Sequence, residues 1–380
     1  MIDQNGPPIA VLSLGTAVPR YCATQTAVGQ WMADSFATQP AMGRWLKRLY
    51  AKSGIETRYA CVPDFSQPPA GSRLAPGQAP ADTLTTAERM AIYQREATDL
   101  GAEAARRALA AYANRSDTDL AAVASTVTHL IGVSCTGFFA PGLDIAIVHE
   151  LALAPTVERT FIGFMGCAAA FNGLRAAWQI VLGQPSARVL VVCVELCSLH
   201  IQPGCNPENL VSASLFADGA SACLVGRAQG HGDLFEIENF YTNLKPETGS
   251  EMIWQIGNHG FVLRLSPRIP QHLAEAAPSA LETLLGSAAW PHFWAIHPGG
   301  KAILDRLAAI FELKPEQLQA SRSVLCRFGN LSSATIFFVL DELRRQLRHE
   351  AVNGKKIEGV AMAFGPGLVI EMARLSYIPP

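Results

Sequence analysis

Five short runs, "IAVLSLG", "VTHLIGVSC", "RTFIGFM", "RVLVVCVEL" and "SACLVGR", constrain this chain more than anything else in it. Each is continuously apolar rather than alternating, the pattern of a strand covered on both faces. Between them, "TTAERMAIYQREATDLGAEAARRALAAYA" and "AAFNGLRAAWQIVLG" carry helical spacing, the second closing on Gly183. Such strands alternating with helices predict an α/β fold. The second half repeats the theme. "FWAIHPGGKAILDRLAAIF" reads as strand, tight turn and helix, and "VLCRFGNLSSATIFFVLDELRRQL" as loop and helix. "GVAMAFGPGLVIEMARL" reads as a hairpin of buried strands around a Gly-Pro-Gly turn. The polar, glycine-rich "GRAQGHGD" marks a boundary between two halves, residues 1–227 and 228–380. "SQPPAGSRLAPGQAPA", residues 66–81, is expected to be an exposed loop.

Composition narrows the class. At 380 residues, 49% of them hydrophobic, the chain can bury a large core. Only 16% are charged, which leaves surface to be covered within the fold or in an oligomer. A net charge of −2 and the lack of a long basic run argue against nucleic acid as a partner. No apolar run approaches the roughly 20 residues of a membrane span. "MIDQNGPPIAVLSLG" shows no basic stretch ahead of an apolar one, so no secretory signal is expected. Nine cysteines without a Cys-x-x-Cys pair suit reduced thiols better than a disulfide framework or a metal site. The expectation is a cytoplasmic protein with no metal.

Three residues stand where chemistry could be done. Cys167, in "GFMGCAAAFNGLR", follows a glycine and opens a helical segment. Most free cysteines are inert fillers, but a helix N-terminus favours thiolate. A cysteine nucleophile also wants a base or cation and a means of holding an oxyanion. His297, in "WAIHPGGKAI", ends an apolar strand before a tight turn, where side chains emerge at a sheet edge. Its plain alternative is a satisfied strand-end histidine. Asn330, in "FGNLSS", is either a helix N-cap or a neutral donor to an oxyanion or enolate.

"GCAAAFNGLRAA", "WAIHPGGKAIL", "FGNLSSATIFFVLDELR" and "FGPGLVIEMARL" together resemble the signature segments of type III polyketide synthases, the chalcone-synthase-like branch of the thiolase superfamily. "LSLGTAVPRY", "CTGFFAPGLD" and "LVSASLFADGASACLVG" agree with it, in the family's order, from about Ala10 to about Leu375. The resemblance implies a thiolase fold, five-layered αβαβα, built from two related halves, and a homodimer. It implies that Cys167, His297 and Asn330 are the catalytic set. His297 as imidazolium would stabilise the Cys167 thiolate, which takes a starter from an acyl-CoA. Decarboxylated malonyl-CoA would then extend the starter by repeated Claisen condensation, with no metal or redox cofactor. The chain would close as a pyrone, a resorcinol or a related phenolic.

Other positions carry over in the same way. Phe216 and Phe261 match gate residues of the cavity. Cys135, Cys197, His200 and Met252 match its walls, and their size departs from the plant enzymes, where threonines and a glycine stand. Ser332, Gly365 and Pro366 match residues around the nucleophile and the cavity floor. Arg48, Lys52 and Ala302 match coenzyme A contacts, while Trp45 stands where the family has a lysine. A ketoacyl-ACP synthase III, condensing once, is the alternative. A degradative thiolase would carry a second cysteine in "AFGPG", and a papain-like hydrolase would place its cysteine near the N-terminus of a secreted chain.

Overall fold

The computed structural model describes residues 6–68, 71–230, 232–350 and 354–380. Pro69 and Ala70 of the expected loop, and His231 at the expected boundary, lie outside the described residues. The first half runs β1 (Ile9–Ala17), β2 (Tyr21–Thr24), α1 (Gln25–Asp34), α2 (Pro40–Ala51), β3 (Thr57–Ala60), α3 (Thr86–Arg115) and α4 (Leu120–Ser125). It continues through β4 (His129–Ser134), α5 (Leu143–Glu150), β5 (Glu158–Gly163), α6 (Ala169–Gly183), β6 (Val189–Leu196), α7 (Pro207–Leu215) and β7 (Asp218–Arg227). The second half has β8 (Leu234–Leu244), β9 (Met252–Gly257), β10 (Gly260–Leu265), α8 (Ile269–Leu285), β11 (Phe293–Ile296) and α9 (Lys301–Ile310). It ends with α10 (Gln319–Phe328), α11 (Thr335–Glu350), β12 (Ile357–Gly365) and β13 (Val369–Ile378).

Nine strands form one sheet in the order β11-β12-β13-β8-β1-β7-β6-β4-β5. The two halves meet where β1 pairs with β8 over only Ala10↔Glu236 and Val11↔Phe235. The apolar runs explain the layering, because successive side chains of a strand face opposite ways. On β6, Val189, Val191 and Cys193 join a central cluster built from both halves, together with Phe171 and Leu174 of α6 and Phe337 and Leu340 of α11. Leu190, Val192 and Val194 face the other way, towards Ala104, Ala105 and Ala108 of α3. In the second half Ala361 and Ala363 face the central helices. Val360 and Met362 face Leu273 of α8 and Leu304 of α9. The result is the αβαβα sandwich, with α6 and α11 buried between two half-sheets.

Three expectations change. "RTFIGFM" is not a strand covered on both faces: β5 is the last strand of the sheet, and Glu158, Arg159, Thr160 and Phe161 are exposed. "VLCRF" is the end of α10 rather than a loop, stopped by Gly329 at φ 75°. The segment 66–81 is only partly exposed, for Leu74 and Ala75 are buried and the Ser72 hydroxyl donates to Asp64.

Candidate active site

The turn that ends β5 carries the thiol. Gly166 has φ 64°, and a Cβ there would lie 2.2 Å from Cδ of Pro366. Only glycine fits both the left-handed backbone and the close approach of that loop. Cys167 follows in a single 3-10 turn before α6. Its sulfur lies 3.8 Å from the Ser332 hydroxyl and 4.0 Å from Asn330 Oδ1. Asn330 sits between α10 and α11. Its N–H donates to Leu215 O at 2.9 Å and its carbonyl accepts from Ala217 N at 2.9 Å, so it is tied in register to Phe216. Asn330 Oδ1 accepts from Ser332 N at 2.8 Å, a local turn rather than a helix cap. Asn330 Nδ2 donates to Gly299 O at 3.2 Å.

His297 stands just past β11, its N–H donating to Met362 O at 2.8 Å. The imidazole is buried, yet among the described residues neither ring nitrogen has a hydrogen-bond partner. Buried polar atoms are normally paired, so an unpaired ring facing a cavity points to a ligand that pairs it. That cavity has a volume of about 560 Å³ and is lined by Cys167, His297, Asn330 and Ser332. Burial pushes the Cys167 thiol up to about 12, against the opposing influence of its contacts with Ser332 and Asn330. Burial also pushes His297 down to about 3. Burial thus opposes charge on each group taken singly, so an imidazolium–thiolate pair here would rest on the attraction between the two charges.

The structure brings most of the other expected residues to this cavity. Cys135, Cys197, His200, Phe216, Met252, Ala302 and Pro366 all line it. Cys135 Sγ accepts from Gly166 N at 3.1 Å, directly behind Cys167. His200 is locked: Nε2 donates to Thr136 O at 2.8 Å and Nδ1 accepts from Phe261 N at 3.0 Å. Gly365 does not line the cavity but packs under the Cys167 turn, where a Cβ would meet Met165 O at 2.8 Å. Arg48 and Lys52 are exposed on and just after α2, off the cavity wall.

Phe261 is a correction. It is buried behind the wall, stacked on His200 with ring centroids 4.3 Å apart, and does not line the cavity. In the β9–β10 hairpin Leu263 pairs with Trp254 and Leu265 with Met252, and these four side chains form the wall. Phe261 pairs with Ile256 farther along and falls outside it. Leu263, not Phe261, lines the cavity together with Phe216.

Two residues of the site escaped the sequence reading. Trp254 walls the cavity and its Nε1 donates to Cys135 O at 2.7 Å. Glu195 is fully buried on β6, where it accepts from Thr136 Oγ1 at 2.8 Å, from Cys135 N at 3.1 Å and from Ser333 Oγ. Burial outweighs these donors and raises its carboxyl to about 7. A lone glutamate inside "RVLVVCVEL" was the available signal, since an unpaired charge is rarely fully buried.

Comparison with known proteins agrees with this geometry. The sequence profile described as chalcone and stilbene synthases, N-terminal domain, matches residues 2–229, and the corresponding C-terminal domain profile matches residues 236–379. The alpha-pyrone synthesis polyketide synthase-like Pks18 of Mycobacterium tuberculosis is 32% identical over 377 residues, covering 96% of this chain and 91% of that protein. Type III polyketide synthase 21 of Oryza sativa subsp. japonica is 32% identical over 371 residues, covering 95% and 92%. The crystal structure of PKS-I from the brown alga Ectocarpus siliculosus superposes with a TM-score of 0.88 at 29% identity, covering 99% of this chain and 100% of that one. The chain therefore belongs to the chalcone and stilbene synthase family, the type III polyketide synthases, which are acyl-transferring enzymes.

Proposed function

We propose that Cys167 is the acyl-carrying nucleophile, that His297 is its proton acceptor, and that His297 and Asn330 hold the enolate. The observation that carries this reading is the convergence of a half-buried thiol, an imidazole unpaired among the described residues and the Asn330 amide on one apolar cavity. As the starter acyl-CoA enters, the Cys167 proton passes to His297 and the sulfur attacks the thioester carbonyl. Coenzyme A leaves as the thiol, taking the proton from His297. Malonyl-CoA then loses carbon dioxide, and the resulting enolate oxygen accepts hydrogen bonds from His297 and Asn330. Its carbon attacks the acyl–Cys167 thioester and expels the cysteine sulfur, giving a β-ketoacyl-CoA that can reload. After repeated extension, an enol oxygen attacks the thioester carbonyl and releases a pyrone, in line with the relative named for alpha-pyrone synthesis. No step needs a cofactor.

Coenzyme A is proposed to enter past Ala302, with Arg48 and Lys52 near its phosphates. Residues 1–227 and 228–380 act as the nucleophile-bearing half and the His/Asn-bearing half. The working unit is proposed to be a cytoplasmic homodimer joined along β5. Support comes from an unpaired sheet edge flanked by exposed Phe138 (39%), Phe161 (37%) and Met165 (44%). No helix among the described residues is long and apolar enough to cross a membrane.

The test is mass spectrometry of products from malonyl-CoA and starters running from acetyl-CoA to aromatic and long-chain acyl-CoAs. Pyrones that vanish in Cys167→Ala, and fall about 10²–10³-fold in rate in Asn330→Ala, are the expected result. Undiminished product from Cys167→Ala would sink the assignment.

A further inference from the structure

The cations around α2 are unlike most in this chain. Arg44, Lys47, Arg48 and Lys52 are all exposed, and among the described residues none of the four forms an ion pair. The chain then bends at Gly54, with φ 78°. A Cβ on Gly54 would lie 3.5 Å from Cβ and 3.6 Å from Cδ of Lys301. The stem of Lys301 therefore runs along the backbone that follows Lys52. Lys301 is also the first residue of α9, and its neighbours Gly299, Gly300, Ala302 and Ile303 line the catalytic cavity. One lysine thus bridges the cationic face and the cavity rim.

Its present partner is replaceable. Lys301 Nζ, about half exposed (52%), is paired with Asp305 one helical turn on. Exposed pairs at this spacing are weak and easily exchanged. Arg322 donates to the other oxygen of Asp305 at 2.7 Å. If Lys301 swings away, Asp305 keeps a cation, so the exchange strands no charge.

Resting on the proposal that coenzyme A enters past Ala302, we propose that Lys301 binds the phosphates of the coenzyme A moiety, and that Asp305 is the counterion it leaves to do so. A phosphate group offers Lys301 a stronger charge-assisted contact than the carboxylate it gives up. The α9 N-terminus adds its dipole in the same direction. Lys301 adds cationic charge to that of α2 from a different element.

Two thioesters separate this from a structural role: malonyl-CoA and the N-acetylcysteamine thioester of malonate, which has the same reacting end and no phosphate. In Lys301→Ala the KM for malonyl-CoA is expected to rise about tenfold relative to that for the phosphate-free thioester, with the product spectrum unchanged. Lys301→Arg should restore most of the loss. Asp305→Asn should act in the opposite sense and lower KM for malonyl-CoA about twofold. Equal changes with both thioesters, or none with either, would overturn the assignment. Calorimetric titration with free coenzyme A against pantetheine reads the same contact without turnover. An inactive protein that still loses coenzyme A affinity in Lys301→Ala would indict the catalytic reading and not this one. Unaltered affinity for both ligands refutes the Lys301 role whatever the activity.

Discussion

Glu195 makes the stability of this protein depend on pH in a way that can be worked out. Its carboxyl, ordinarily near 4.5, is raised to about 7 by full burial on β6. The folded protein therefore holds a proton that the unfolded chain has released, and stability must fall as pH rises through that interval. The contribution is fully present below about 4.5 and lost as pH passes about 7. At 1.36 kcal/mol per pKa unit, the shift amounts to about 3 kcal/mol, most of it between pH 5 and 8. Glu195→Gln removes the titration while keeping the size and an acceptor oxygen. Weakened bonds to Ser333 and Thr136 would lower the variant's stability by a constant amount, not change its slope. Urea unfolding of both proteins at pH 5, 6, 7 and 8 gives the difference curve, in which other titrating groups cancel. Wild type should lose about 2–3 kcal/mol more than the variant across that range. Parallel curves would show that the carboxyl is ionised in the fold at all these pH values, and that its three donors outweigh burial.

Other consequences can be checked directly. Gly166→Ala should remove polyketide formation and destabilise the protein. The left-handed backbone costs ~1–2 kcal/mol, and overlap with Pro366 adds ~1–3 kcal/mol; activity assay and thermal melting read the two effects. Met252→Gly should admit larger starters or further extensions, and an unchanged product spectrum would remove Met252 from the wall. Leu263→Ala should alter starter preference, because Leu263 faces the cavity. Phe261→Leu should lower Tm through the lost stack on His200 with far less effect on which starters are used. The reverse outcome would restore Phe261 to the gate.

The layering of this fold could be read because continuously apolar strands need cover on both sides, and β1, β4, β6 and β7 obey that rule. β5 could not be placed in the same way. Edge or centre is decided by which strand pairs next, and "RTFIGFM" is as apolar as its buried neighbours. Cys167, His297 and Asn330 were legible as residues, each beside a turn glycine. Their convergence depended on α6 and α11 being packed side by side between the half-sheets. Phe261 and Leu263 show a finer limit. They lie two apart on one strand, so periodicity puts both on the same face, and only the hairpin register separates the cavity wall from what lies behind it. Lys301 was invisible as a partner of α2 because nearly 250 residues separate it from Gly54 in the chain.

The unpaired imidazole and the raised thiol have a further consequence for how long such an enzyme lasts. Oxidants and stray electrophiles attack thiolate, not thiol. A Cys167 thiol that its apolar surroundings hold in the protonated form is a poor target for them. The same surroundings that make its charge costly therefore also shield it from chemical damage.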